Sequence, residues 1–183
     1  MLDTLLLSIY FFLPAYFSNM VASLSRKIKF LKPLEVPVDF NKTINGYPIF
    51  GNHKTWRGLI CGIIAGMMVA IFQQYLYQFE CIQKISLFNY QEINIFLFGF
   101  LISFGAIFGD LLFAFFKRRQ NIQPGQPWIP FDQINFVIGA FLFLTPFFEI
   151  PLSVWFTILI LTFVLHILGN HIAYWLGWQK NRW

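Results

Sequence analysis

Five stretches of this chain are apolar for about the length that crosses a bilayer. They cover residues 2–21, 59–79, 93–116, 134–150 and 152–176. A spanning helix needs about 20 such residues, with about 17 as a lower limit. The fourth run is at that limit and contains Pro146. With 57% hydrophobic and only 11% charged residues in 183, a soluble domain could not bury so much apolar surface. The expected fold is therefore an all-α integral membrane protein, a single domain over 1–183 with five transmembrane helices. Lipid leaves no alternative to helices here, because backbone polar groups cannot stay unpaired in it. The first run reads as a retained anchor rather than a cleaved signal, since Asp3 is the only charge near its start.

The cations set the expected orientation. Arg26, Lys27, Lys29, Lys32, Lys42, Lys54 and Arg57 lie in 22–58, and Lys117, Arg118 and Arg119 lie in 117–133. Lys180 and Arg182 lie in the tail, whereas 80–92 carries only Lys84 and 150–152 none. Five crossings put every cation-rich segment on one side. The positive-inside bias then predicts an outside N-terminus, two cytoplasmic loops and a cytoplasmic C-terminus. The net charge of +5 follows from this bias and from the anionic leaflet, so no nucleic-acid partner is expected. Cys61 and Cys81 have no metal or redox spacing.

Three stretches carry chemistry. Asp110 is a carboxylate inside a spanning run, a costly placement that is by default functional. It shares a helix face with Ala114 and Lys117, about 10 Å below Lys117 along the axis. The basic triplet Lys117-Arg118-Arg119 opens a loop stiffened by Pro124, Gly125, Pro127 and Pro130, which ends in Asp132-Gln133. A triplet alone is a topology anchor, and an acid at a helix start alone is a cap. Two carboxylates beside a cation cluster at one membrane edge are what a metal-assisted reaction on phosphates needs.

The third stretch, 45–58, is a glycine-containing loop that brings His53, Lys54, Thr55 and Arg57 to a helix start, where N–H groups favour anions. It lacks Walker A spacing. His166, Asn170 and His171 form a polar stripe in the last run, which fits helix packing or, less specifically, a metal. Asn19, near the cytoplasmic end of the first run, either joins the site or packs.

Together the motifs L-P-A-Y-x-x-N-M (Leu13 to Met20), P-V-D-F (Pro37 to Phe40), G-N-H-K-T-W-R-G (Gly51 to Gly58), G-D-L-x-x-A-F-x-K-R-R (Gly109 to Arg119) and P-G-x-P-x-x-P-F-D-Q (Pro124 to Gln133) resemble the CDP-archaeol synthase family. This family is related to the CDP-diacylglycerol synthases. The resemblance implies a five-helix cytidylyltransferase that requires Mg2+. It would transfer CMP from CTP to a lipid phosphate, typically unsaturated archaetidic acid (2,3-di-O-geranylgeranylglyceryl phosphate), and release pyrophosphate. Phosphatidic acid is the alternative substrate. On these residues, Asp110 and Asp132 would hold metal and Lys117 and Arg118 would act on the reacting phosphates. Asn19, Lys54, Thr55, Arg57, Arg119 and Gln133 would bind substrate. Where larger relatives have a serine after G-D, this chain has Ala114, so a hydroxyl is missing. A small transporter with Asp110 on its path is the rival reading. It would need polar residues in several runs, yet they are sparse beyond Gln73, Gln74 and the last stripe. Oligomeric state stays open, a homo-oligomer included.

Overall fold

A computed structural model describes residues 2–123, 126–175 and 177. Pro124, Gly125, Leu176 and the tail cations Lys180 and Arg182 lie outside the described residues. Among the described residues six α-helices occur in chain order: α1 (Leu2–Leu24), α2 (Trp56–Leu76), α3 (Glu80–Gln83), α4 (Ile95–Arg119), α5 (Phe131–Leu144) and α6 (Leu152–Trp175). Among the described residues, four helical stretches are long and apolar enough to cross a membrane: Asp3–Lys27, which runs on from α1, and stretches in α2, α4 and α6. The fourth apolar run differs from expectation. It gives a helix of only 14 residues, α5, which starts before the run and stops at Leu144. At about 1.5 Å per residue it is about 21 Å long. Pro146 explains the stop: it has no N–H to continue the ladder, so the chain leaves the helix even though Thr145 before it is still helical in φ and ψ.

The long segment between α1 and α2 is ordered by its own backbone. Two short 3₁₀ turns, Ser25–Lys27 and Lys29–Leu34, continue from α1. Strands β1 (Thr43–Ile44) and β2 (Tyr47–Pro48) pair antiparallel, with Ile44 opposite Tyr47. They turn through Asn45 and Gly46, both at positive φ, the asparagine–glycine pair that two-residue hairpins favour. Residues 36–38 then run antiparallel to 54–56: the Val38 N–H donates to the Lys54 carbonyl (2.8 Å) and the Trp56 N–H to the Val36 carbonyl (3.0 Å). Thr55 caps α2 by accepting from the Gly58 N–H at 3.3 Å.

The bundle is closed at one end by aromatic side chains. Phe11 packs on Phe98 and Trp155, each with centroids 5.9 Å apart, and Phe141 packs on Trp155 at 5.2 Å. Tyr10, Phe11, Phe12, Tyr90 and Phe98 are all buried. Gln73 is helix glue there, donating to the Tyr10 carbonyl at 2.5 Å. This deep polar residue thus makes a packing contact between α1 and α2 rather than lining a path, which weakens the transporter reading.

The other end is shaped by how closely α4 and α5 approach. Gly105 and Gly109 of α4 face Gly139 of α5 backbone to backbone. A Cβ at Gly139 would lie 2.6 Å from the Gly109 Cα, and one at Gly109 would lie 2.9 Å from the Gly139 Cα. Only glycine permits that approach. It brings Asn135 of α5 beside Asp110 of α4.

Candidate active site

The ends of α1, α4 and α6 and the starts of α2 and α5 meet at the end opposite the aromatic cluster. Here two lysine–aspartate pairs bridge elements far apart in sequence. Lys54 donates to Asp110 Oδ2, tying the first loop to α4. Lys117 Nζ donates to Asp132 Oδ2 at 2.6 Å, tying α4 to α5. Asp110 Oδ1 also accepts from Asn135 Nδ2 at 3.3 Å, and Asp132 Oδ2 from the Trp128 N–H at 2.7 Å. Although Asp110 and Lys117 share a helix face, each is paired with a different element.

A cavity of about 280 Å³ is lined by both pairs together with Gln126, Pro127, Gln133, Asn135, His166 and Asn170. Smaller clefts beside it add Arg26, His53, Arg118 and Ala114. Arg26, Lys54, Lys117 and Arg118 thus face two carboxylates, a formal excess of positive charge. Such an excess in a partly dehydrated cleft attracts polyanions. His53 lies among these cations. Burial, then the positive charges of Arg26, Lys54 and Arg118, push its pKa below the usual histidine value. His53 is therefore neutral at pH 7 and leaves anion binding to the cations.

The other sequence candidates divide into two groups. Asn19 lines the cleft wall with Arg26 and Lys54, as does Thr55 in addition to its capping role. Gln133 is buried and borders the cavity, and its buried Oε1 has no hydrogen-bond partner among the described residues. Arg57 is 1% exposed and pairs with Glu35 at 3.1 Å, so it anchors the first loop instead of joining Lys54 in the cleft. Arg118 donates to the carbonyls of Phe50 (3.4 Å) and Ile122. Arg119 donates to those of Tyr47 (3.1 Å) and Pro48 (2.5 Å). The basic triplet therefore staples the two loops together, with only Lys117 and one face of Arg118 left to the cleft.

Several site residues went unread in the sequence. Asn135 is one turn from Asp132 on the same helix face, a spacing that could have revealed it. Arg26 gave no signal beyond its charge. Asp39 is 5% exposed and accepts from the N–H groups of Asn41 (3.0 Å), Phe50 (2.9 Å) and Gly51 (3.0 Å). Burial acts to raise its pKa, but these donors outweigh it and the net shift is downward. Asp39 thereby holds Phe50 and Gly51, at the positive φ of 97° that Gly51 supplies, in front of His53 and Lys54. His166 and Asn170 reach the cavity, where a packing role had been the simpler expectation.

A second opening, about 370 Å³, lies between α1, α5 and α6 and shares His166 and Asn170 with the charged cavity. Met20 and Leu165 on its rim are half-exposed on the apolar face, and Tyr16 bonds Thr162 at 2.7 Å within it.

These features define a multi-pass helical membrane protein with a charged, laterally open cleft at one end of its bundle. Its fold is matched by a solved structure described as an intramembrane enzyme for archaeal membrane lipids biosynthesis. The TM-score is 0.69, covering 88% of this chain and 91% of that one at 24% identity. A family profile, CarS-like CDP-archaeol synthase, matches residues 1–183. Similar proteins include the CDP-archaeol synthases of Methanocaldococcus jannaschii, 36% identical with 96% of both chains covered, and of Pyrococcus furiosus, 34% identical with 95% of both covered. The chain belongs to the CDP-archaeol synthase family, and it is therefore a membrane-embedded enzyme.

Proposed function

We propose that this enzyme transfers CMP from CTP to unsaturated archaetidic acid, giving a CDP-lipid and pyrophosphate. The observation that carries the reading is the convergence of Lys54–Asp110 and Lys117–Asp132 on one cavity. This cavity is joined by shared residues to an apolar opening between α1 and α6. A water-soluble nucleotide and a lipid phosphate need such a meeting point.

An oxygen of the lipid phosphate attacks the α-phosphorus of CTP in line, forming the new P–O bond. The bond to the β-phosphate oxygen breaks and pyrophosphate leaves. The chain supplies positioning and charge rather than covalent chemistry. Lys54, Lys117, Arg26 and the cleft face of Arg118 neutralise phosphate oxygens. Asn135 and Trp128 fix the two carboxylates, and the apolar opening orients the lipid. The donor set also fits a hard divalent cation such as Mg2+, which would be held by Asp110 and Asp132. The buried Gln133 Oε1, without a partner among the described residues, is a further oxygen nearby. Among the described residues, no cluster of three or more His, Cys, Asp or Glu side chains could hold a metal. Substrate oxygens would complete the shell, as is usual for Mg2+. When bound, the ion would screen the charge that develops on the phosphates.

The membrane placement follows the same reading. The whole chain forms one domain in the cell membrane, α5 serves as a short fifth crossing, the N-terminus is outside and the cleft is cytoplasmic. The meeting of cation-rich segments around the cleft supports this. The test is an assay of purified protein with Mg2+, radiolabelled CTP and either unsaturated archaetidic acid or phosphatidic acid. A labelled CDP-lipid and pyrophosphate from the ether lipid are expected. Product from phosphatidic acid alone would reassign the substrate. No product from either, with folded protein, would overturn the reading.

A further inference from the structure

The segment leaving α1 is unlike the rest of the first loop. From residue 22 to 34 it contains Arg26, Lys27, Lys29 and Lys32 and no acidic residue. All four cations are exposed, and among the described residues none takes part in an ion pair. Between them project apolar side chains. Phe30 is 89% exposed, Ile28 44% and Leu34 37%. The backbone is held in two 3₁₀ turns, so these groups are not on a free tether. Arg26, first of the series, also lines the cleft wall with Asn19, Lys54 and Asp110.

A bare phenylalanine among unpaired lysines, immediately after a spanning helix, is suited to neither water nor hydrocarbon alone. It fits the interface, with the ring among acyl chains and the amines among headgroup phosphates. One apolar anchor binds a membrane weakly, and a basic patch beside it makes the attachment firm. We infer that residues 27–34 form an interfacial docking surface for anionic lipid headgroups, a site outside the catalytic cavity that adjoins its wall at Arg26. Its occupant is the anionic leaflet around the protein, recognised by phosphate charge rather than chain type. Each lysine near such a surface favours it by about fivefold. Three together select anionic over neutral lipid by on the order of 100-fold at low salt, and less as salt screens them.

The test needs no catalysis and so stands or falls apart from the proposed reaction. Phe30→Trp in the full chain, reconstituted in nanodiscs, reports contact with brominated lipids as the quenching gained over the parent protein. Brominated phosphatidylglycerol diluted into neutral lipid should quench Trp fluorescence at far lower mole fraction than brominated phosphatidylcholine diluted into phosphatidylglycerol. The difference should shrink at 0.5 M salt and collapse when Lys27, Lys29 and Lys32 are all changed to Gln. Equal quenching by both headgroups, or none by either, would overturn the inference.

Discussion

Substituting Gly139 by alanine tests whether the approach of α4 and α5 sets the cleft. The new Cβ would lie 2.6 Å from both the Cα and N of Gly109, and nearer still to the Gly105 carbonyl oxygen. Non-bonded carbons prefer about 3.6 Å, so α5 must retreat from α4 by about 1 Å. The obstacles are all backbone, and no side chain can rotate away. Overpacking of this kind costs about 1–3 kcal/mol of stability. The larger effect is on geometry. Asp132 and Asn135 are carried on α5, whereas Asp110 and Lys117 are carried on α4, so the retreat pulls the Lys117–Asp132 and Asn135–Asp110 contacts apart. A displacement of about 1 Å in a positioned site can lower the rate about 100-fold. The assay is CDP-lipid formation per mole of folded protein, with thermal unfolding in detergent read alongside, and Met68→Ala on the exposed side of α2 as the control. Gly139→Ala with unchanged activity and unchanged Tm would refute the argument that this contact shapes the site.

Asp110→Asn should insert and fold normally yet lose at least about 100-fold in activity, since the amide keeps the volume and loses the charge. Activity near that of the parent would remove Asp110 from the reaction. Glu35→Gln leaves Arg57 buried beside a neutral partner and should destabilise the protein by about 1–3 kcal/mol, measured as a drop in Tm, with the KM for CTP changed less than by Lys54→Met. Asp39 has a folded pKa below its unfolded value. Its stabilising contribution is therefore complete above about pH 4 and is lost as pH falls through the lower folded value. Limited proteolysis of the first loop should show protection at pH 5 in the parent protein and none in Asp39→Asn at any pH. Equal protection in the two would show that the carboxylate does not hold the loop. His53→Gln should leave the acid limb of the pH–rate profile in place, because burial and the nearby cations lower the pKa of His53 and favour its neutral form. Loss of that limb would make His53 the titrating group.

Membrane helices were readable from the sequence because a bilayer demands long apolar runs, and α1, α2, α4 and α6 follow them within a few residues. The fourth run misled by length, since its apolar residues continue past Pro146 while its helix cannot. The first loop keeps apolar and aromatic residues (Val36, Val38, Phe40, Tyr47, Ile49 and Phe50), which a disordered linker lacks, but they do not reveal its path. That path depends on residues 36–38 pairing with 54–56 and on a single carboxylate, Asp39, collecting three N–H groups. Such non-local pairing leaves no periodic mark. At the site, Asp110, Lys117, Asp132 and Lys54 were legible because charge is expensive where they lie. Which lysine serves which aspartate was not, since helix periodicity favours Asp110 with Lys117, whereas the glycine contact and the loop path bring other partners closer. Arg57 and Arg119 show that charge alone does not say where a side chain is held. Their charge suggested phosphate, but one is held by Glu35 and the other by loop carbonyls.

The uneven attachment of α6 has a mechanical consequence. Trp155 packs it firmly on Phe11 and Phe141 and Thr162 ties it to Tyr16, whereas further on His166 meets Phe136 at 6.3 Å between ring centroids and Leu165, Leu168 and Ile172 face outward. A helix clamped at one end and bordered by lipid along the other behaves as a cantilever. Small deflections at its root become larger ones beside His166 and Asn170, where the apolar opening meets the charged cavity. A bulky liponucleotide could then leave sideways by bending one helix, with the aromatic end of the bundle and the α4–α5 contact undisturbed from one turnover to the next.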